Sequence, residues 1–399
     1  MLEQQYNLVL KLYNSIDDAL NGFNPYVING QGILSVSISE SILSVLPRIE
    51  VLLRDVGSLT EVRPILDKMV LSVTMGQRTD DIEDITSLLF NINSFYFNSD
   101  VTLNQFTPLI LSGYLAGEDM FAPNKNRSFR GSSDEILRRI SREVKIPIEI
   151  RTTGRENVIW YQDGSNYNFI NHVSKRAFIS NDGVFFYGTK DGNFVYTSIF
   201  TEKAKDLNFT AHYNPDRTED FVITNKELDI MFYNSYNSLN VKDCYNNIAC
   251  YGGTYTQYDL VESITREIHN GLGNTDLDNK FKKYSDINTF SLNMGLIGDN
   301  SYKNIYRGKV QNEFFKFCLF STTMLLNINT TTDVKLFDRV NLRLPSTIDR
   351  GEDNDVYSGE YYVAGLTYSV GDQNPYRKTA LLCRSGINKS PVTDNNEVG

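Results

Sequence analysis

Three histidines in a chain of 399 residues are the only side chains whose ordinary pKa suits proton transfer near neutral pH. His172, His212 and His269 lie far apart and share no motif with a nucleophile or a metal ligand. No Gly-x-Ser-x-Gly elbow, phosphate-binding loop or His-Glu-x-x-His occurs, and Gly271-Leu-Gly273 lacks the third glycine of a dinucleotide fingerprint. We therefore expect surface or packing histidines, and we name no catalytic, cofactor-binding or metal-binding residue.

Carboxylates in pairs are the second group that could do chemistry. Asp80–Asp84 is an acidic run, and Glu118 and Asp119 are adjacent. Glycoside hydrolysis requires two carboxylates at a fixed separation across a cleft. Solvated loop acids are the simpler interpretation. We expect no enzymatic activity and no cofactor, with a cell-wall hydrolase that has an unrecognised site as a less favoured alternative.

Four cysteines stand at positions 244, 250, 318 and 383. Only Cys244 and Cys250 are close in sequence, and no histidine accompanies them to complete a zinc set. Free thiols in a reducing compartment are favoured, and a Cys244–Cys250 disulfide that closes a local loop is the alternative.

The formal net charge of −10 argues against binding to a phosphate backbone, which requires a basic face. One basic cluster stands on a predicted helix: Arg138, Arg139, Arg142 and Lys145. Asp134, Glu135 and Glu143 belong to the same helix. The spacing favours a solvated helix face with intrahelical ion pairs.

Membrane insertion is not indicated anywhere in the sequence. The N-terminus has no cationic start followed by an apolar run. The most apolar segment, Phe314–Leu326, is shorter than the roughly 18 residues that a membrane span requires. We expect a soluble protein made in a cytoplasm.

The first 120 residues alternate between apolar and polar positions, which is typical of strands with one buried face. Leu34, Val36 and Ile38 alternate with serines. Leu8, Leu10 and Leu12 likewise occupy every second position. Further strands are predicted at Arg48–Arg54, Met69–Met75, Ser87–Phe97 and Pro108–Leu115.

Helical periodicity enters at about residue 130. Ser132 and Glu135 form a capping-box pattern, and Ile136, Leu137, Ile140 and Val144 fall on one helix face. A strand around Trp160 and a helix that carries Phe169, Ile170 and Val173 follow. A hairpin is then predicted from Val184–Tyr187 and Phe194–Thr197 with Asp191-Gly192 at its turn.

Strand patterns return after residue 206. They cover Asp206–Tyr213, Lys226–Asn234, Thr322–Ile328, Arg339–Leu344, Glu360–Val370 and Thr379–Arg384. Residues 235–310 are polar and irregular, with Val261–Ile268 as one candidate short helix.

The predicted fold is mainly β with an α+β insertion: two antiparallel β-barrel-like domains, interrupted by an α/β domain and a long irregular insertion. The predicted units are a first barrel at 1–124, an α/β domain at 125–205, a second barrel at 206–234 and 315–388, an irregular or helical insertion at 235–314, and a polar tail at 389–399.

The run from Gly359 to Val370, followed by Tyr376 to Arg384, resembles the closing strand pair of phage tail baseplate hub proteins. Late-control tail proteins and type VI secretion spike proteins share this family. Val158–Ile170 and Leu325–Leu344 resemble further segments of it in the same order. Asp338 stands where the family often has glycine, and Tyr368 where it often has histidine.

The resemblance implies a virion structural protein that forms a homotrimeric ring, in which two similar barrels per subunit imitate six-fold symmetry. The ring would join the hexameric tail tube, or tube-initiator proteins, to the trimeric spike protein. Baseplate wedge proteins and the tape measure are further candidate partners. DNA would pass through without specific binding, and we expect Asp and Glu to outnumber Lys and Arg on the channel face.

The resemblance places the protein in the tail baseplate of a virion, after assembly in the host cytoplasm. A carbohydrate- or receptor-binding tail protein is the principal alternative. Its support is the tyrosine-rich stretch 235–310, because exposed aromatic side chains are typical of shallow sugar-binding grooves.

Overall fold

The structure is a computed structural model. It describes residues 5–28, 30–55, 64–66, 68–78, 83–97, 107–123, 125–179, 182–213, 227–237, 254–258, 265–269, 322–328, 332–346, 353–354, 357–371 and 374–384, with isolated positions between 308 and 320.

Strands make up most of the described chain. The N-terminal strands are β1 (Gln5–Tyr13), β2 (Tyr26–Ile28), β3 (Ile33–Ser41), β4 (Arg48–Asp55), β5 (Val70–Arg78), β6 (Glu83–Phe97) and β7 (Thr107–Leu115). The middle strands are β8 (Lys125–Gly131), β9 (Ile148–Ile150), β10 (Val158–Gly164), β11 (Val184–Gly188) and β12 (Phe194–Ser198). The later strands are β13 (Phe209–Tyr213), β14 (Glu227–Asn237), β15 (Thr254–Tyr258), β16 (Thr265–His269), β17 (Thr322–Ile328), β18 (Arg339–Arg343), β19 (Gly359–Gly371) and β20 (Asn374–Arg384).

The helices are short and lie mostly between these strand groups. They are α1 (Ile16–Asn21), α2 (Ser133–Val144), α3 (Asn166–Arg176) and α4 (Ile199–Lys203). The prediction of a mainly β chain with helical insertions is confirmed.

Thirteen strands form one continuous sheet in the order β18-β13-β14-β17-β20-β19-β3-β4-β7-β6-β5-β1-β2. The first six of these strands close into a barrel, because β18 pairs with β19 as well as with β13. The other seven form a sheet that joins the barrel through the pairing of β3 with β19. Both strand groups therefore share one sheet.

Strand β19 makes this junction because it is 13 residues long and changes partner along its length. Its first part pairs with β18, and the part from Gly365 to Gly371 pairs with β3. A register shift between Val363 and Gly365 separates the two parts. Such a bulge bends a strand and increases its twist, which turns β19 from one group toward the other.

The pairing departs from the predicted all-antiparallel arrangement at β13. This strand runs parallel to both β14 and β18. Period-two alternation identifies a strand and its buried face but contains no information about the direction of its neighbours.

In the middle of the chain the strands β8 to β12 alternate with the helices α2 to α4, and we call this region the α/β unit. Glu135 accepts a hydrogen bond from the backbone N–H of Ser132 at 3.1 Å, which fixes the start of α2. Helix α3 packs on β10, where the ring of His172 meets Trp160 edge-on at 6.3 Å. Trp160 is 1% exposed, and its Nε1 donates to the carbonyl of Gly131 at 3.0 Å. The predicted packing of Trp160 beneath this helix is confirmed.

Two further elements differ from the secondary structure expected from the sequence. Residues 265–269, in the second half of the helix predicted over Val261–Ile268, form strand β16, which pairs antiparallel with β15. Alternating threonine and tyrosine in β15 supply a β-prone partner, and this pairing overrides the helical pattern. Helix α1 was not predicted, because its six residues bury no side chain and so show no helical periodicity.

Candidate assembly surfaces

The continuous sheet has an apolar face and a polar face, and the polar face is rich in hydroxyl groups. We call the polar face of β3, β4, β7, the second part of β19, and β20 the hydroxyl face. Its hydroxyl residues include Ser35, Ser37, Ser39, Ser41, Ser112, Thr367, Ser369 and Thr379. One row of register partners crosses five strands: Arg377, Ser369, Ser37, Glu50 and Ser112. The hydroxyl face thus spans the junction between the two strand groups.

Charges on the hydroxyl face are few. The charged side chains described there are Arg48, Glu50, Arg54 and Arg377, and Arg48 lies 3.7 Å from the carboxylate of Glu50. Within the described residues of this face, cations outnumber carboxylates. The acidic excess that the sequence predicted for a channel wall is therefore not found on this face.

One end of the sheet is open. Strand β2 pairs with β1, from Leu10 opposite Ile28 to Leu12 opposite Tyr26, and with no other described strand. The opposite end is closed by the barrel. An edge strand presents unpaired backbone N–H and C=O groups that can pair with another chain.

Apolar side chains accompany this open edge. Leu20, Phe23 and Val27 expose 68%, 62% and 56% of their surface. Helix α1 ends at Gly22, which takes a left-handed conformation (φ 68°) and reverses the chain toward β2. We call β2 together with Leu20 and Phe23 the edge surface. Exposed apolar side chains near a free strand are typical of a contact between protein chains.

The α/β unit meets both strand groups through the hairpin β11–β12. Gly188 donates its backbone N–H to Ser44 in the β3–β4 turn at 3.4 Å. A Cβ atom at Gly188 would lie 2.7 Å from the carbonyl oxygen of Val45, so this approach requires glycine. On the barrel side, the ring of Phe185 meets Phe337 at 5.1 Å.

A buried cluster of titratable groups lies where these three parts join. Glu40 on β3 is 4% exposed, and it accepts hydrogen bonds from the backbone N–H of Lys190 in the hairpin and from the hydroxyl of Tyr368 on β19 at 3.2 Å. Burial raises the pKa of Glu40 to about 7, against the lowering effect of the bond from Lys190. The ammonium groups of Lys190 and Lys378 lie 4.9 and 5.5 Å from the centre of the Tyr368 ring.

The hydrogen bonds of this cluster attach the hairpin to the junction, and the carboxylate of Glu40 is buried there. Tyr368 stands where the resembling family often has histidine, and here its hydroxyl donates to Glu40. Period-two alternation after Val36 and Ile38 already places Glu40 on the apolar face of β3. A glutamate on the buried face of a predicted strand indicates a buried polar cluster, and this was the signal in the sequence that could have identified it.

Among the residues that the structure describes, the basic cluster on α2 forms none of the predicted intrahelical ion pairs. Glu143 accepts two hydrogen bonds from Arg127 on β8, at 2.9 and 2.5 Å. Asp134 accepts from the backbone of Gly154 at 3.0 Å, and Lys145 pairs with Glu118 at 2.6 Å. The spacing along the helix was compatible with internal ion pairs, but Asp134 and Glu143 bind groups from other elements, and Glu135 caps the start of the helix.

The histidines and the paired acids that could have served catalysis lie on separate elements. His172 lies on α3, His212 on β13 and His269 on β16. Glu118 pairs with Lys145, and Asp119 lies 3.5 Å from Lys125, so both adjacent acids have a separate cationic partner. Asp80 and Asp81 lie outside the described residues.

Cys244, Cys250, Cys318, Gly271-Leu-Gly273 and most of the tyrosine-rich stretch 235–310 also lie outside the described residues. Cys383 is a buried free thiol, and burial raises its pKa. In the part of the chain that the structure describes, no group of three or more histidine, cysteine or acidic residues is arranged to hold a metal ion. The helices described are too short and too polar to cross a bilayer.

No protein-family model matches the chain, and no curated protein sequence matches it. Solved structures do match. The 43 kDa tail protein of prophage MuSo2 from Shewanella oneidensis has a TM-score of 0.55 at 12% identity, covering 95% of this chain and 98% of that one. The tail protein from Neisseria meningitidis MC58 has a TM-score of 0.54 at 9% identity, covering 96% and 97%. This chain has the fold of phage tail proteins.

The similarity extends over nearly the full length of both chains in each comparison. The fold that the C-terminal strand motifs led us to expect is therefore confirmed. A component of the type VI secretion system from E. coli also aligns, with a TM-score of 0.45 at 11% identity, over 90% of this chain and 76% of that one.

Proposed function

We propose that this chain is the structural hub of a phage tail baseplate. Three copies form a ring that joins the hexameric tail tube to the trimeric central spike. The single observation that carries the proposal is the thirteen-stranded sheet, which combines two strand groups in each subunit and leaves one edge open. Three subunits with two groups each present six sheet segments around the axis, which suits a junction between six-fold and three-fold partners.

The edge surface supplies the contact between subunits. Docking on a neighbouring subunit covers the open edge at β2, which would otherwise expose unpaired backbone groups. Phe23 and Val27 would lose their exposure to water in that contact, which stabilises the ring through burial of apolar surface.

The hydroxyl face lines the channel through which DNA passes. Serine and threonine hydroxyls carry no charge, so they offer a wetted wall that releases few counterions from a passing duplex. The nearest cation and carboxylate on this wall, Arg48 and Glu50, neutralise each other in part. DNA therefore has no dense cationic track to bind.

The proposed division of the chain follows from the same assignment. Residues 1–124 form the first tube-like domain, 206–234 with 315–388 the second, and 125–205 the inserted α/β domain. Residues 235–314 form an insertion and 389–399 a tail. The tail tube or its initiator proteins, the spike, the wedge proteins and the tape measure are the proposed partners, and the proposed location is the tail baseplate of a virion assembled in the host cytoplasm.

No enzymatic activity belongs to this proposal. Glu118 and Asp119 have separate ion-pair partners, and the buried Glu40 lies at a packed junction between structural parts. The work of a hub is self-association and docking, which require complementary surfaces and no nucleophile.

Light scattering coupled to size-exclusion chromatography tests the ring. The wild-type chain alone should elute with a mass of about 137 kDa, three times the 45.5 kDa monomer, or should contribute that mass to a complex with the spike protein. Phe23→Asp and Val27→Asp should shift the chain to monomer, because each puts an unpaired charge into an apolar contact.

Leu43→Asp is the matched control, since Leu43 is exposed to a similar degree (53%) but lies in the β3–β4 turn. This variant should remain trimeric. A wild-type chain that stays monomeric at high concentration with and without spike would exclude the ring. Equal dissociation of all three variants would exclude the edge surface as the contact.

A further inference from the structure

Two arginines on α2 lack the partners that their neighbours have. Lys145 is neutralised by Glu118 at 2.6 Å, and the guanidinium of Arg139 lies 4.9 Å from the centre of the Phe129 ring. Arg138 and Arg142 are exposed and form no ion pair with any residue that the structure describes. Asp134 and Glu143 bind groups from other elements, and Glu135 caps the start of the helix. No described carboxylate therefore pairs with either of the two arginines.

These two arginines border a depression of about 430 Å³ between the last turn of α2 and the start of β9. The other residues that line it are Ser141, Lys145, Ile146, Pro147 and Ile148. The lining therefore combines cationic side chains, which we call the rim, with the apolar residues 146–148, which we call the floor.

The framework of the depression is held by backbone hydrogen bonds. Ile146 donates its N–H to the carbonyl of Ser141 at 3.2 Å, and Phe194 on β12 donates to the carbonyl of Pro147 at 2.7 Å. The hydroxyl of Ser141 also donates to the carbonyl of Ile146 at 2.5 Å. These bonds fix the path of the chain that lines the depression.

The chemistry of the rim favours carboxylates. Side chains four residues apart on a helix stand about 5–6 Å apart at Cβ, so Arg138 and Arg142 can hold two anionic groups side by side. A guanidinium matches a carboxylate with two parallel hydrogen bonds. Pro147 and Ile148 are the accessible part of the floor, and they suit an aliphatic side chain placed between the two anionic groups.

We propose that this depression binds an acidic peptide segment of a partner protein. The segment presents two carboxylates about one helical turn apart to Arg138 and Arg142, and an aliphatic side chain to the apolar floor. Nucleic acid is the less suitable occupant, because the chain carries a net charge of −10 and the carboxylate of Glu118 stands beside the rim. This site lies on the α/β unit, and its test does not depend on ring formation.

Fluorescence anisotropy with the full-length protein tests the proposal. The probe is a fluorescein-labelled peptide with two glutamates four residues apart, each followed by a leucine, and the comparison peptide has glutamine at both positions. The acidic peptide should bind, and the glutamine peptide should bind at least about five-fold more weakly, as expected for two exposed ion pairs. Raising the salt concentration should reduce the difference.

The variant R138Q/R142Q should lose the same factor of about five for the acidic peptide and should leave the glutamine peptide unaffected. The control is R130Q/K203Q, which removes two exposed cations from β8 and α4 and leaves the depression intact. The control should bind as the wild type does.

Three results would overturn the proposal. They are no binding of the acidic peptide by wild-type protein, an equal loss in the control variant, and tighter binding of a short single-stranded oligonucleotide that R138Q/R142Q abolishes. The last result would identify a nucleic-acid site in place of a peptide site.

Discussion

Replacing Glu40 by glutamine should stabilise the fold at alkaline pH and leave it nearly unchanged in acid. In the folded chain the pKa of Glu40 is raised from 4.5 to about 7, mainly by burial. The folded state therefore binds this proton more tightly than the unfolded state does. The stability that this proton contributes is present below pH 4.5 and is lost as the pH rises through 7.

The magnitude follows from the shift. About 2.5 pKa units correspond to a loss of about 3 kcal/mol between pH 4.5 and about pH 8. The amide oxygen of glutamine can accept from the N–H of Lys190, and its amide nitrogen can donate to the hydroxyl oxygen of Tyr368, and the side chain never ionises. E40Q should thus exceed the wild type in free energy of unfolding by about 3 kcal/mol at alkaline pH.

Urea denaturation of both proteins across this pH range measures the difference. Comparing variant with wild type cancels the other buried acids, such as Asp338, whose pKa is also raised, to about 6. Glu50→Gln is the control, because it removes an exposed carboxylate from the neighbouring strand and leaves the buried cluster around Glu40 intact. A less stable E40Q at pH 8 would refute the reasoning, since it would show an ionised Glu40 held by Lys190 and Lys378.

Two further predictions concern the core and the channel wall. Trp160→Ala should cost about 3–5 kcal/mol in urea denaturation, because it removes a fully buried ring and its hydrogen bond to Gly131. The neighbouring Ile159→Ala, at an exposed position, should cost about 1 kcal/mol or less, and equal effects would contradict the placement. Duplex DNA should not bind detectably at about 50 mM salt. The variant S37K/S39K should bind DNA in a salt-sensitive way if the hydroxyl face lines the channel, and no gain would contradict that assignment.

Local patterns in the sequence predicted most strands and their buried faces. Alternation at Val36 and Ile38 predicted β3, and the same parity at Met324, Leu326 and Ile328 predicted β17. These predictions succeed because alternation of side chains is a property of a single strand. Helix α2 was predicted equally well, since its cap and its apolar face are both local features.

Pairing between distant segments was beyond the reach of such patterns. The bulge after Val363 lets β19 join two strand groups, and no periodicity in the sequence encodes its partners. The engagement of Glu143 by Arg127 likewise depends on how β8 folds back over α2. For that reason the sequence misassigned the α2 charges and left the depression at Arg138 and Arg142 unnoticed.

Electron micrographs of the purified protein, averaged in projection along the ring axis, test the central claim most directly. The proposal predicts three-fold rings with an open centre and a six-lobed wall, formed by the chain alone or with the spike protein. Averages that show particles the size of a 45.5 kDa monomer, or dimers without a central channel, both with and without the spike protein would contradict the proposed ring.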